Sequence, residues 1–176
     1  MRTFRLLMVV LASIVVQNAW AQAYPSKPIR IIVPNPPGGS ADVLSRLLST
    51  RLAQDLGQSV VIENRAGANG IVGTDAVIKS PADGYTLLLG SNSQYSVNPA
   101  IYAKLPYDPL KDLSLVSQIS EQPLMVLVNP KVPANNLQEL VKLAKSRPGK
   151  LNYGGSGPAA TLPVEHFNAI AGIKIQ

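Results

Sequence analysis

The sequence predicts an α/β protein built on a parallel sheet, and three observations carry that expectation. Short β-branched or apolar runs at Ile29–Val33, Val60–Ile62 and Tyr85–Leu89 alternate with segments of helical spacing. Broken only by Arg30 and Thr86, the runs have the largely apolar character of strands covered on both faces, not the in-and-out alternation of half-exposed ones. Glycine- or serine-rich turns follow the strands, as in βα units.

The chain begins with basic Arg2 and Arg5, an apolar run from Leu6 to Val16, and small residues at the A-x-A positions of Ala21-Gln22-Ala23. That order reads as a secretory signal peptide over residues 1–23, cleaved after Ala23, and it places the mature protein in the periplasm. A membrane anchor needs roughly 20 apolar residues, whereas Gln17 and Asn18 interrupt this run after eleven. Cysteine is absent from all 176 residues, which excludes disulfides, thiolate metal sites and lipid attachment at a cysteine. The formal charge of +6 falls to +4 without Arg2 and Arg5, and the remaining Lys and Arg are scattered singly. Nucleic-acid binding gets no support from such a distribution.

The first strand, Ile29–Val33, is closed by Pro34. Asn35-Pro36-Pro37-Gly38-Gly39-Ser40 then turns the chain into a helix from about Ala41 to Leu56, with Leu44, Leu48, Leu52 and Leu56 at helical spacing and Gly57 as its C-cap. Val60–Ile62 is the second strand, Asn64–Gly70 a loop, and Ile71–Lys79 a helix. After the turn Pro81-Ala82-Asp83-Gly84, Tyr85–Leu89 is the third strand; Ser91–Gln94 is a polar loop before a short helix near Asn98–Tyr102.

Further strands are expected at Leu113–Ile119 and Leu124–Val128, with Glu121-Gln122-Pro123 as a lobe boundary between them. Asn136 and Glu139 form a capping-box pattern for a helix whose apolar face is Leu137, Leu140, Val141 and Ala144. Leu151–Tyr153 reads as another strand, Gly154–Pro158 as a second Gly-Ser loop, and Pro163 as a first-turn residue of the helix that follows. Ile173–Gln176 has the character of the start of a strand.

Ligands in open α/β sheets gather outside the carboxyl ends of the strands. That rule selects three loops: Gly38, Gly39, Ser40 and Asp42; Ser91, Asn92 and Ser93; and Gly155, Ser156 and Gly157. The first opens a helix, where unpaired N–H groups and the dipole favour an anion. It also fits a purely structural role, with Ser40 or Asp42 capping the helix. None of the three loops contains Lys or Arg, so an anion there must be held by backbone N–H groups, hydroxyls and helix dipoles. Micromolar affinity requires about 8 kcal/mol, and a charge-assisted hydrogen bond contributes roughly 1.5–3 kcal/mol. Several loops must therefore close on one ligand.

Other chemistry finds less support. The G-x-G-x-x-G and Gly-Lys-Ser/Thr patterns of nucleotide sites are missing. Gly154-Gly155-Ser156-Gly157-Pro158 approaches the nucleophile elbow of serine hydrolases but ends in Pro158, and His166 follows Ser156 within about three helical turns, closer than the Ser-acid-His order of such hydrolases. A secreted hydrolase using Ser156 is kept as the enzymatic alternative. A single histidine without cysteine argues against a transition-metal site. Arg65 fits best as a turn residue bonding its own neighbourhood. Tyr95, Tyr102 and Tyr107 suit the rim of a core or the wall of a pocket.

Taken together, these loops resemble those of the Bug-type extracytoplasmic solute receptors of tripartite tricarboxylate transport systems. The resemblance rests on Tyr24–Pro34 leading to Pro37-Gly38-Gly39 and Asp42, on Asn64–Ala68, Asp83–Leu88, Asn98-Pro99 with Tyr102, Leu105–Pro109 and Pro148–Gly154. It implies a periplasmic-binding-protein-like (type II) two-lobed fold, with residues 24–122 in the first lobe and 123–176 starting the second. It implies capture of a small organic carboxylate without catalysis or cofactor, by a monomer that delivers to membrane permease subunits; a sensor with the same ligand class is the alternative. The ligand loops it implies are Asn35–Asp42 and Gly155–Thr161. Two departures stand out: Asn35 replaces a common aromatic residue, and the second loop is shorter, with Thr161 near the usual place of a histidine. Members of the family run to roughly twice this length, so the fold expected here is truncated. Residues 24–176 alone are expected to expose apolar surface and to bind weakly or not at all.

Overall fold

The computed structural model describes residues 23–155 and 157–176. The signal-peptide reading therefore lies outside the described residues except at Ala23, and Ser156 lies outside them as well. Three parallel strands form one sheet in the order β2-β1-β3, with β1 at Ile29–Val33, β2 at Val60–Asn64 and β3 at Thr86–Leu88. Ile31 aligns with Ile62 on one side and Leu87 on the other. The central place of β1 follows from its composition, since a β-branched strand with two partners can be buried on both faces.

Between β1 and β2 runs α1, Ser40–Leu56, ended by Gly57 in the left-handed conformation at φ 65°. Its Ala41, Leu48 and Leu52 pack on Ile31, Val33 and Leu89 to make the core of that face. Leu56, the fourth residue of the expected stripe, is exposed. The opposite face carries Arg30 and Ile32 and is covered by α2, Ile71–Ile78, where Thr74 is fully buried. Contact there is close enough that a Cβ on Gly73 would lie 2.8 Å from the Arg65 carbonyl oxygen and 2.9 Å from Pro34 Cβ. Helices on both faces of a parallel sheet match the α/β expectation.

After β3 the chain enters a π-helical turn at Ser93–Val97 that continues into α3, Asn98–Ile101. Helix thus begins earlier than expected, and Ser93 and Gln94 leave the predicted loop for it. The helix α4 spans Leu137–Ser146, and α5 spans Pro158–Ala171.

Four expectations are corrected. Leu113–Ile119 and Leu124–Val128 form no strands: they have no ladder partner among the described residues, and apart from half-buried Leu113 their large apolar side chains are 41–87 % exposed. A strand is stable only when a neighbour takes its N–H and C=O groups. Leu151–Tyr153 is reduced to one parallel bridge between Leu151 and Ile175, flanked by Gln176 N–H donating to the Leu151 carbonyl at 2.8 Å. Pro163 lies inside α5 because Pro158 already occupies the first turn, where its missing N–H leaves no bond unmade. Finally, the capping box is displaced by one residue. Asn136 Oδ1 accepts the Glu139 N–H at 2.9 Å, but the Glu139 carboxylate reaches back to the Asn135 N–H at 2.7 Å.

Candidate functional site

At the carboxyl ends of the three strands the loops enclose a cleft of about 270 Å³. Pro34, Asn35 and Pro36 come from the end of β1, Ala66–Gly70 from the loop after β2, and Ser93, Gln94, Val97 and Asn98 from the helical turn after β3. Pro158 and Ala159 close the remaining side from the start of α5. Among the described residues, none that lines the cleft carries a formal charge. Two helices, α2 and α5, begin at the cleft wall, with Gly70 and Gly157 as their N-caps, so both turn the positive end of their dipoles toward it.

The loop after β2 has an unusual backbone. Ala68 and Asn69 both hold positive φ, at 46° and 52°, a conformation that non-glycine residues adopt at a steric penalty. A buried amide network holds this corner. Gln94 Nε2 donates to the Asn69 carbonyl at 3.0 Å and Asn98 Nδ2 donates to the same oxygen at 3.1 Å. Gln94 Oε1 accepts the Ser91 N–H at 2.8 Å, and the Tyr107 hydroxyl donates to the Gln94 carbonyl at 3.1 Å. The Asn69 side chain donates to the Tyr102 hydroxyl at 2.6 Å.

The structure divides the residues expected from sequence. Asn35 and Ser93 line the cleft. Gly157 stands beside it, φ 81°, so close to Asn69 that a Cβ would meet Asn69 Oδ1 at 3.2 Å. Gly38, Gly39, Ser40, Asp42, Ser91, Asn92 and Thr161 do not line it, and Ser156 lies outside the described residues. Gly39 is the N-cap of α1 but supplies no side chain, and neither Ser40 nor Asp42 caps in its place. Asp42 instead accepts from the Gly38 N–H at 2.9 Å and the Arg46 Nε at 3.1 Å. Those bonds, Arg46 first and then Gly38, hold its carboxyl down at about 2 and commit both groups to the turn. Ser91 spends its N–H on Gln94, and its hydroxyl lies 3.2 Å from the same Oε1. Asn92 begins the helical turn. The Thr161 hydroxyl donates to the Gly157 carbonyl at 3.1 Å.

Sequence reasoning missed Ala66–Gly70, Gln94, Val97 and Asn98, whereas Pro158 and Ala159 fall inside the Gly155–Thr161 loop that the resemblance implies. The Gly67-Ala68-Asn69-Gly70 run after β2 obeys the same strand-end rule as the selected loops and could have been found by it. Arg65, which drew attention there instead, pairs with the Glu63 carboxylate and holds its titration below the usual range. Among the described residues there is no group of three or more His, Cys, Asp or Glu placed to hold a metal ion.

Comparison with known proteins gives a consistent answer. Residues 44–176 match the tripartite tricarboxylate transporter family receptor. Protein BugT of Bordetella pertussis is 45% identical over 158 residues, which are 88% of this chain and 48% of BugT. Among solved structures, an R. palustris protein with adipate is 35% identical with a TM-score of 0.79, over 87% of this chain and 52% of that one. MatC from Rhodopseudomonas palustris with bound malate is 27% identical with a TM-score of 0.73, over 87% of this chain and 53% of that one. The chain spans about half the length of the curated relatives it matches. On these grounds the fold is that of the periplasmic solute-binding proteins, and the chain belongs to the tripartite tricarboxylate transporter family of receptors, which are not enzymes.

Proposed function

We propose that this chain forms the first part of a periplasmic receptor that captures a small organic carboxylate, of the size of a di- or tricarboxylate, for a tripartite tricarboxylate-type transporter. The observation that carries the proposal is the uncharged cleft at the strand ends, walled by the N-termini of α2 and α5. Such a site holds an anion by N–H groups, amides and hydroxyls without a cationic side chain. Adipate and malate in two structural neighbours support the ligand class. Export through a signal peptide at residues 1–23, cleaved after Ala23, suits neighbours described as periplasmic. In this reading Glu121-Gln122-Pro123 divides the first lobe from the start of the second. Closure of the two on a ligand shifts the receptor toward its bound form, and permease subunits take the delivery.

The test has two arms. Residues 24–176 are titrated with adipate, malate and a panel of other carboxylates, following the amide signals of Asn35, Gly70 and Ser93 by NMR. A chimera in which the same residues are continued by the second half of BugT is examined by thermal shift. Stabilisation of the chimera by at least one carboxylate is expected. If no acid stabilises it, the reading is wrong.

A further inference from the structure

We propose that Gln94 and Asn98 are positioning residues for ligand capture: their side-chain amides converge on the Asn69 carbonyl and hold the Ala68–Asn69 corner in the cleft wall. The inference rests on the reading of that cleft as the ligand site.

Four observations carry it. Both amides are buried, Gln94 at 1% and Asn98 at 0% exposure, and both donate to one backbone oxygen, at 3.0 and 3.1 Å. The oxygen they hold belongs to the second of two consecutive non-glycine residues with positive φ, so the bonds oppose relaxation of a strained corner. Asn98 uses its Nδ2 on Asn69 and on the Tyr107 hydroxyl, and leaves its own Oδ1 without a partner among the described residues. The reverse orientation of that amide would set two acceptors against each other, so Asn98 is fixed there by what it donates. Last, the corner connects the walls of the cleft. Asn69 Oδ1 lies against Gly157 at the start of α5, and Gly70 has no Cβ where Gln94 Nε2 passes beneath it.

Two bonds to one carbonyl therefore fix where the loop after β2 meets both α5 and the cleft. Without them Ala68 and Asn69 can return to the ordinary helical or extended regions, which moves the Asn69 side chain away from Gly157. Gln94 itself ties this corner to the turn after β3 through Ser91. The loops following two different strands thus share one set of bonds.

The experiment compares wild type, Gln94→Met, Ala68→Gly and the double variant of the chain. Met keeps the volume of Gln but cannot donate to Asn69. Amide hydrogen exchange is read at Gly70 and Ile71, whose N–H groups bond to the Gly67 and Ala68 carbonyls. Gln94→Met is expected to lower protection at both by about tenfold or more. Ala68→Gly has little effect alone and restores at least about half of the lost protection, on a logarithmic scale, in the double variant, because glycine adopts positive φ without a steric penalty. Loss of protection across the whole sheet, or equal loss with and without Ala68→Gly, identifies a packing residue only and overturns the proposal.

The ligand arm places the same substitutions in the chimera continued by the second half of BugT and uses adipate and malate. Gln94→Met is expected to weaken binding by about tenfold, with recovery in the double variant. Unchanged binding beside lowered protection shows that the corner is held for stability alone and also overturns the proposal. Failure of the unsubstituted chimera to bind either acid removes the ligand role while leaving the exchange result to report on the corner itself, which separates the two failures.

Discussion

Asp42 accepts the backbone N–H of Gly38 at 2.9 Å, so a side chain in the first turn of α1 closes the turn that precedes its own helix. Arg46 on the next turn completes the arrangement at 3.0 Å. The carboxyl titrates at about 2 in the folded protein against 3.8 for the free side chain. A depressed folded value means that the stabilisation is complete above the unfolded value and fades as pH falls from there through the folded one. The expected result is that Asp42→Asn lowers the urea midpoint at pH 5, with a difference from wild type that narrows toward pH 2. A constant difference across that range would show that packing, not the charge, is what Asp42 contributes.

Gly70→Ala tests the cleft wall from the other side. The added Cβ falls on Gln94 Nε2 and demands φ 84° of alanine. Strain of this kind amounts to about 1–3 kcal/mol, and the displaced amide releases the Asn69 carbonyl. Chemical denaturation is expected to show a loss in that range. Gly38→Ala is the control, since it also requires positive φ, 85°, but has nothing within 4 Å of its Cβ. Equal losses in the two variants would mean that Gln94 moves aside freely.

How far the sequence reveals all this depends on how local the signal is. β1 is legible because a β-branched run closed by Pro34 has few other solutions, and α1 because leucines at helical spacing end at Gly57. The run from Leu113 to Val128 misleads because apolar content states that a segment wants cover without saying which strand supplies it. The edge of the sheet where this cleft lies was legible, because the strand-end rule points there. The walls of the cleft were not, because Gln94 and Asn98 act through a carbonyl 25 and 29 residues earlier in the chain. No local pattern marks a polar amide that packs under a distant glycine.

The exposed run itself yields a measurement. Leu115, Val116 and Leu127 are 80–87 % exposed, and apolar side chains this open to solvent bind hydrophobic dye and promote association. Residues 24–176 should enhance dye fluorescence strongly. Replacing Leu115, Leu124 and Leu127 by Ser should remove more than about half of that signal without altering the sheet. Low dye binding by the unsubstituted protein, with cooperative unfolding, would show that the segment is covered in solution.

The start of α4 offers a smaller and cleaner test. Asn136 Oδ1 accepts the Glu139 N–H, a bond that alanine cannot make. Loss of an N-cap of this type destabilises by about 1 kcal/mol. Asn136→Ser should recover most of it, because serine presents an oxygen to the same N–H. Failure of serine to recover the loss would assign the effect to the second bond, from Asn136 Nδ2 to Glu139 Oε1 at 2.9 Å.

Pro163 makes the opposite prediction. It sits in the second turn of α5, where a proline lacks the N–H for the carbonyl four residues back and crowds it with its ring. An interior proline of this kind disfavours a helix by about 3 kcal/mol, offset by roughly 0.4–1 kcal/mol because it also restricts the unfolded chain. Pro163→Ala is therefore expected to stabilise residues 24–176 by about 2 kcal/mol and to raise helicity by circular dichroism. The same helix lends Pro158 and Ala159 of its first turn to the cleft, so a change in α5 bears on both stability and the proposed ligand site. A variant that gains stability but weakens carboxylate binding would assign the proline to shaping the cleft. If neither quantity changes, α5 already tolerates the ring, and the expected gain is refuted.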